Sequence, residues 1–132
     1  MATLITLASM MLALSAVAAD YPNSTYGISR DPFGGVSGNF IWYNRSVQVG
    51  GTLSSNGGCV SVVYTAYDRN GDYVTRAARP GDNEYMCSGS KGHGFTLDAG
   101  DVYGGIRYVR VTMWCKDSGG VFNCASRLYL RP

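Results

Sequence analysis

The chain has 132 residues, with 11 basic and 9 acidic side chains and a formal net charge of +2 at neutral pH. This length gives room for one domain. The weak charge, with only two lysines and no basic run, argues against a nucleic-acid surface, which needs clustered Lys and Arg.

The first 19 residues have the character of a secretory signal peptide. They are apolar or small throughout and end in Ala-Val-Ala-Ala, which suits signal peptidase. The run is slightly shorter than the about 20 apolar residues of a spanning helix. It also lacks a preceding basic residue, because the first one is Arg30. We expect a secreted, extracellular protein with no membrane segment after cleavage, and a membrane anchor is the competing interpretation.

The next segment, residues 20–37, is rich in turn-forming residues and shows no apolar periodicity. We predict that it is an extended N-terminal arm leading into a domain that spans residues 38–132. Its aromatic residues, Tyr21, Tyr26 and Phe33, are unusual for a linker. Either they pack back onto the domain, or the arm docks into a partner.

From residue 39 onward, short apolar runs alternate with turns. The clearest run is 59–67, where Val60, Val62 and Tyr64 share one face. The run 106–116 alternates in the same way. No stretch has a helical period, and the chain contains 18 glycines. This pattern predicts an all-β fold, an immunoglobulin-like antiparallel β-sandwich of about seven strands.

The four cysteines indicate disulfides, because an even number follows the secretion signal. Three pairings exist. We favour Cys59–Cys87 with Cys115–Cys124, since the second pair spans a short loop rich in turn residues. A zinc site needs more closely spaced cysteines, so we predict two disulfides and no metal.

Residues suited to catalysis are sparse. The single histidine, His93, lies in the glycine-rich segment 88–94, where we expect it to be solvated, and no Gly-x-Ser-x-Gly elbow accompanies it. Glycoside hydrolysis needs two carboxylates held across a cleft. Glu84 is the single glutamate, and Asp98 and Asp101 flank a turn, where we expect their carboxylates to bind backbone amides. Segment 68–72 resembles the opening of a calcium loop but is predicted to be a hairpin turn. We expect no catalytic residue and no cofactor, and therefore no enzyme.

Ten tyrosines and two tryptophans are the most suggestive feature. Tyr108 and Trp114 share the outward face of their predicted strand, where they could bind a protein, stack on sugar rings or form a second buried layer. The predicted partner-binding residues are Tyr21, Tyr26, Arg30, Phe33, Tyr108 and Trp114.

Several stretches resemble a known family. The run 43–51 (YNRSVQVGG), the aromatic strand after Cys59, the segment 104–111 (GGIRYVRV) and the closing cysteine pair resemble small secreted actinobacterial β-sandwich proteins. The likeness covers roughly residues 40–132 and extends to the adaptor subunits of umbrella toxin particles, which are secreted antibacterial assemblies. It implies an adaptor that joins a toxin-bearing scaffold to a lectin-bearing subunit, partly through its N-terminal arm, here residues 20–37.

The leading hypothesis is a secreted, non-catalytic adaptor whose partners are other secreted proteins of a complex. Two rival functions come from other classes. A carbohydrate-binding module would use the face that carries Tyr108 and Trp114. A secreted protease inhibitor would present a rigid loop around Arg30 or Arg79 to a protease cleft.

Overall fold

The computed structural model describes residues 21–132, so the predicted signal peptide, residues 1–19, lies outside the described residues. Eight antiparallel strands make up the fold, and this part of the chain holds no helix with the length and apolar character to cross a membrane. The strands are β1 (Asn23–Arg30), β2 (Gly34–Trp42), β3 (Ser46–Ser55), β4 (Cys59–Tyr67), β5 (Tyr73–Arg79), β6 (Gly89–Asp98), β7 (Tyr108–Asp117) and β8 (Gly120–Leu130).

The strands form two four-stranded sheets packed face to face. The first sheet has the order β1-β2-β3-β6 and the second has the order β5-β4-β7-β8. The predicted all-β sandwich is therefore confirmed, with eight strands where about seven were expected. Its two-sheet architecture is that of immunoglobulin-like sandwiches, although the strand order differs from that of immunoglobulin domains.

The predicted N-terminal arm is part of the first sheet. Strand β1 pairs with β2 along its whole length, from Asn23 opposite Ile41 to Arg30 opposite Gly34. The expected boundary between residues 37 and 38 falls inside β2, so the sandwich begins well before it. The sequence did not indicate a strand here, because polar and small residues separate the few inward-facing apolar side chains of β1.

Alternating side chains from both sheets fill the core, as the alternation in β4 and β7 predicted. The inward side chains of these two strands are almost completely shielded from solvent. The largest fully buried side chains are Trp42, Tyr64, Phe40, Leu53, Leu97, Ile106 and Met113. Burial of these apolar groups is the main source of stability for the fold.

Both predicted disulfides are present. Cys59–Cys87 ties the start of β4 to the segment that precedes β6, and Cys115–Cys124 joins β7 to β8. The second bond lies in the core, where Cys115 is fully buried and Cys124 is 7% exposed.

The two long sides of the sandwich differ. On one side, the Tyr129 hydroxyl of β8 accepts a hydrogen bond from the Gly27 amide of β1 at 3.1 Å. Its ring also packs 5.6 Å from the Phe40 ring, measured between centroids. This side is therefore closed by an aromatic side chain. The other side, between β5 and β6, leaves a cleft.

Two glycines face each other in the middle of the first sheet. The register places Tyr26, Gly38, Gly51 and His93 in one row across its four strands. A Cβ at Gly51 would overlap the Tyr26 hydroxyl and lie 2.8 Å from the Ser37 carbonyl oxygen. It would also lie 3.2 Å from His93 Nε2, so the missing side chain of Gly51 leaves room for the rings of both edge strands to lean inward.

We predict that Gly51→Ala lowers the free energy of unfolding by about 1–3 kcal/mol, because the new methyl group overpacks against backbone that cannot move away freely. Gly94→Ala is the matched control in the same sheet, since its Cβ would meet only the Val49 carbonyl oxygen at 3.9 Å. Urea denaturation of the two variants checks this. Equal stability of the two alanine variants would contradict the role assigned to the glycine pair.

Candidate functional site

A cleft of about 270 Å³ opens between β5 and β6, and we call it the seam cavity. Residues from β3, β5, the segment between β5 and β6, and β6 itself form its walls. They are Leu53, Arg79, Pro80, Met86, Lys91, Gly92, His93 and Gly94. The set combines three basic side chains with an apolar wall and contains no carboxylate.

A chain of hydrogen bonds leads from the core to this cavity. The Tyr26 and Tyr64 hydroxyls are 2.7 Å apart, and the Tyr64 hydroxyl is 2.6 Å from His93 Nε2. The Tyr26 hydroxyl also donates to the Gly50 carbonyl oxygen at 3.2 Å. Tyr64 comes from the second sheet and meets the other two side chains above the paired glycines. One polar network therefore connects the two sheets.

Burial sets the protonation states of this network. Desolvation raises the pKa of the Tyr64 phenol far above its usual value, and the adjacent Tyr26 raises it further. Burial also raises the pKa of Tyr26, although the hydrogen bond from Tyr64 opposes that shift. Burial lowers the pKa of His93, and the positive charge of Arg79 lowers it further. Both phenols are thus protonated at neutral pH, and the imidazole is neutral.

Neutral His93 presents one ring nitrogen to the protein and leaves the other accessible. Nε2 is engaged by Tyr64, and Nδ1 has no hydrogen bond within residues 21–132. No buried side-chain nitrogen or oxygen in this part of the chain lacks a partner. Because Nδ1 has no partner, it must be reached by solvent. His93 therefore connects the buried hydroxyls to the seam cavity.

Arg79 forms the opposite wall of the cavity. In the β4–β5 register it is opposite Val62, so it lies on the inward face of β5. Its guanidinium carbon is 4.2 Å from the centroid of the Phe95 ring, and its Nη1 donates to the Ala78 carbonyl oxygen at 2.7 Å. This stacking holds the guanidinium at the seam rather than at the tip of a loop, which argues against Arg79 as the residue that an inhibitor presents.

The outer face of the second sheet is the other candidate surface. Tyr67 is opposite both Tyr73 and Tyr108, and Tyr108 is opposite Leu130, so these four residues form a row across all four strands. We call them the aromatic row. Tyr73 is 60% exposed and Leu130 is 57% exposed. Beside the row is a depression of about 510 Å³, lined by Tyr67, Arg69, Asn70, Gly71, Tyr108, Arg110 and Leu128.

The predicted partner-binding residues are distributed over different environments. Tyr26 is only 5% exposed and stacks on Phe40, so a partner cannot reach it and it is a core residue. Phe33 is half-buried and packs edge-to-face against Phe122 at 5.3 Å between ring centroids. The other two predicted partner-binding residues of the arm are accessible. Tyr21 is 46% exposed, and Arg30 is also exposed.

The other two predicted residues, Tyr108 and Trp114, lie on the outer face of β7 and are both half-buried. Six residues separate them, which corresponds to roughly 20 Å along a strand. Tyr108 belongs to the aromatic row, whereas Trp114 lines a separate depression with Tyr85 and Val121 near the other end of the sheet. The structure therefore does not bring the two side chains together.

The expectation that His93 is solvated in a glycine-rich loop is wrong. His93 belongs to β6, is half-buried and contacts Tyr64. The strand alternation of His93, Phe95 and Leu97 was present in the sequence. Three glycines in the first six residues of β6 obscured this alternation, because glycine is typical of turns.

Aspartate side chains accept hydrogen bonds from backbone amides in the turns. This agrees with the interpretation of residues 68–72 as a hairpin turn. The Asp68 carboxylate accepts hydrogen bonds from the amides of Asn70 at 2.9 Å and Asp72 at 3.0 Å. Asp98 accepts one from the Gly100 amide at 2.8 Å. Among residues 21–132, no three His, Cys, Asp or Glu side chains cluster in a way that could hold a metal ion.

Comparisons with known proteins assign no role to either surface. No family model matches the chain. No curated protein and no solved structure matches it either. The roles of the seam cavity and the aromatic row are therefore inferred from their own residues.

We predict that Tyr64→Phe destabilises the fold by about 1–3 kcal/mol, because it leaves the Tyr26 hydroxyl and His93 Nε2 without their shared partner. The matched control is Tyr43→Phe, which removes an exposed hydroxyl bonded to Gln48 at 3.1 Å. Its effect should stay within about 0.5 kcal/mol. Thermal and urea denaturation of both variants check this, and equal losses would argue against the network.

The lowered pKa of His93 predicts a pH dependence of stability. The unfolded chain takes up a proton on His93 more readily than the folded chain does. The stability contributed by neutral His93 is therefore complete above about pH 6.5 and is lost as the pH falls from there through the folded-state pKa. His93→Gln should flatten this dependence below about pH 6.5.

NMR gives a direct check, because the chain has one histidine. Its imidazole signals should titrate with a midpoint below about 6.5. A midpoint at or above that value would contradict the buried, neutral state of His93.

Proposed function

We propose that this chain is a non-catalytic protein-binding module whose contact surface is the outer face of the second sheet. The observation that carries the proposal is the aromatic row, in which tyrosines of three neighbouring strands and Leu130 lie side by side. Tyrosine is enriched in the energetic centres of protein interfaces, since it offers a large contact area and a hydroxyl group.

The exposure of the row supports this function. Tyr73 and Leu130 are more than half exposed, and the neighbouring Leu128 is 38% exposed. Contiguous exposed apolar groups on a soluble protein mark interaction surfaces. The half-buried Tyr67 and Tyr108 in the centre of the row supply the packed base that such a contact needs.

The charges near the row favour a partner with acidic groups. Arg110 follows Tyr108 on the same face of β7, and the Arg69 guanidinium carbon lies 4.4 Å from the centroid of the Tyr103 ring. Both arginines line the depression beside the row. Arginine at the edge of an aromatic contact steers an oppositely charged partner and fixes its orientation.

The proposed function includes the adaptor role implied by the resemblance, with secreted proteins of an antibacterial complex as partners. In an adaptor, a second contact surface complements the outer face. Of the four predicted partner-binding residues in the arm, Tyr21 and Arg30 are the exposed ones. They lie beside and within β1, an edge strand of the first sheet, so they could bind a second protein independently of the aromatic row.

Carbohydrate binding is the rival function, and it rests on the outward placement of Tyr108 and Trp114. Roughly 20 Å separates them along β7, and Arg110 and Thr112 lie between them on the same face. A glycan array distinguishes the two functions. Retention of a glycan that is lost in Trp114→Ala would favour carbohydrate binding over protein binding.

We predict that Leu130→Asp abolishes co-purification of partner proteins from the culture medium of the producing cells, because it places a charge in the aromatic row. Val121→Asp is the matched control on the same strand, with Val121 50% exposed. It lies nine residues away, roughly 30 Å along β8. Mass spectrometry of the captured proteins gives their identity and ratio. Partners that bind the two variants equally would contradict the proposed surface.

A further inference from the structure

The guanidinium of Arg79 has no acidic partner among residues 21–132. The salt bridge in this part of the chain joins Arg76 to Asp82 at 3.5 Å, on the outer side of β5. Arg79 itself donates one hydrogen bond, from Nη1 to the Ala78 carbonyl oxygen. A guanidinium carries five N–H donors. Most of its donors are therefore free for a ligand, and its charge is not neutralised by the protein.

The orientation of this guanidinium is already fixed. Its carbon lies 4.2 Å from the centroid of the Phe95 ring, which leaves the edge of the guanidinium plane available. A guanidinium held in this way matches the planar, two-oxygen geometry of a carboxylate. Because the side chain is ordered before binding, little conformational entropy is lost when an anion arrives.

The rest of the seam cavity suits the same kind of ligand. Lys91 supplies a second positive charge, and none of the lining residues is acidic. Leu53, Pro80 and Met86 form an apolar wall. The volume of about 270 Å³ is just below the range of typical small-molecule pockets. The cavity thus combines a cationic end with a small apolar compartment.

We propose that the seam cavity binds a carboxylate that carries a small apolar group, with Arg79 holding the carboxylate oxygens. The carboxylate can belong to a free organic acid or to an acidic side chain of a peptide. The site is separate from the aromatic row, because it lies between the two sheets rather than on the outer face. It therefore stands or falls independently of the proposed protein-binding function.

Calorimetric titration of the purified protein at low ionic strength tests the proposal with two matched pairs of probes. Benzoate is compared with benzamide, and a glutamate blocked at both ends is compared with the equally blocked glutamine. We expect each acid to bind more tightly than its amide by about tenfold or more. If benzoate binds better than the blocked glutamate, a free acid is the natural source; the reverse order indicates a peptide. Equal affinity for the acids and their amides would overturn the proposal.

Two variants on the same strand assign the binding to the cavity. Arg79→Gln should weaken binding of the better acid about tenfold or more, because it removes the charge and most of the donors. Arg76→Gln removes the same charge from the outer side of β5 and should leave the affinity unchanged. Equal losses in both variants would show a general effect of charge and would overturn the assignment.

A measurement on the unaltered protein keeps the test decisive if Arg79→Gln does not fold. Benzoate in the cavity adds a negative charge beside His93, so it should raise the midpoint of the histidine titration measured by NMR, whereas benzamide should not. The chain has one histidine, so the signal needs no assignment. Imidazole signals that stay unmoved at saturating benzoate would overturn the proposed site.

Discussion

The contact between Tyr64 and the two edge strands of the first sheet depends on Gly51, where a side chain would collide with the Tyr26 hydroxyl. Packed sheets are about 10 Å apart, which leaves little room for a phenol to meet two further rings in one layer. Gly51 has no side chain to fill this space, so Tyr26 and His93 can lean inward from opposite edges of the sheet. The three side chains then satisfy one another's hydrogen bonds within the core.

This arrangement relates the core to both sides of the sandwich. Tyr26 stacks on Phe40 and lies near Tyr129, which closes the side between β1 and β8. His93 at the other end of the network faces the seam between β5 and β6. The hydrogen-bond network therefore runs across the full width of the first sheet. The aromatic row is on the opposite surface of the second sheet and shares none of its residues.

The sequence predicted the parts of the fold that depend on local pattern. Strands β4 and β7 were evident because apolar residues alternate along them, and Cys115 and Cys124 flank a short turn. Strand β1 was interpreted as an arm because its polar and glycine residues resemble a linker. The contact between Tyr64 and His93 could not be predicted, since it depends on which strands are neighbours and on their register. Both depend on long-range packing, which a single sequence does not display.

The glycines of β6 have a further consequence for how this protein behaves when it is concentrated. Within residues 21–132, β6 is an edge strand that pairs with β3 alone, and exposed edges invite strands of other molecules to add to the sheet. Its exposed half contains Gly89, Gly92 and Gly94 around the charged Lys91. Glycine has low β-propensity, and an edge lysine opposes strand addition. This composition disfavours the addition of a further strand along the edge that borders the seam cavity.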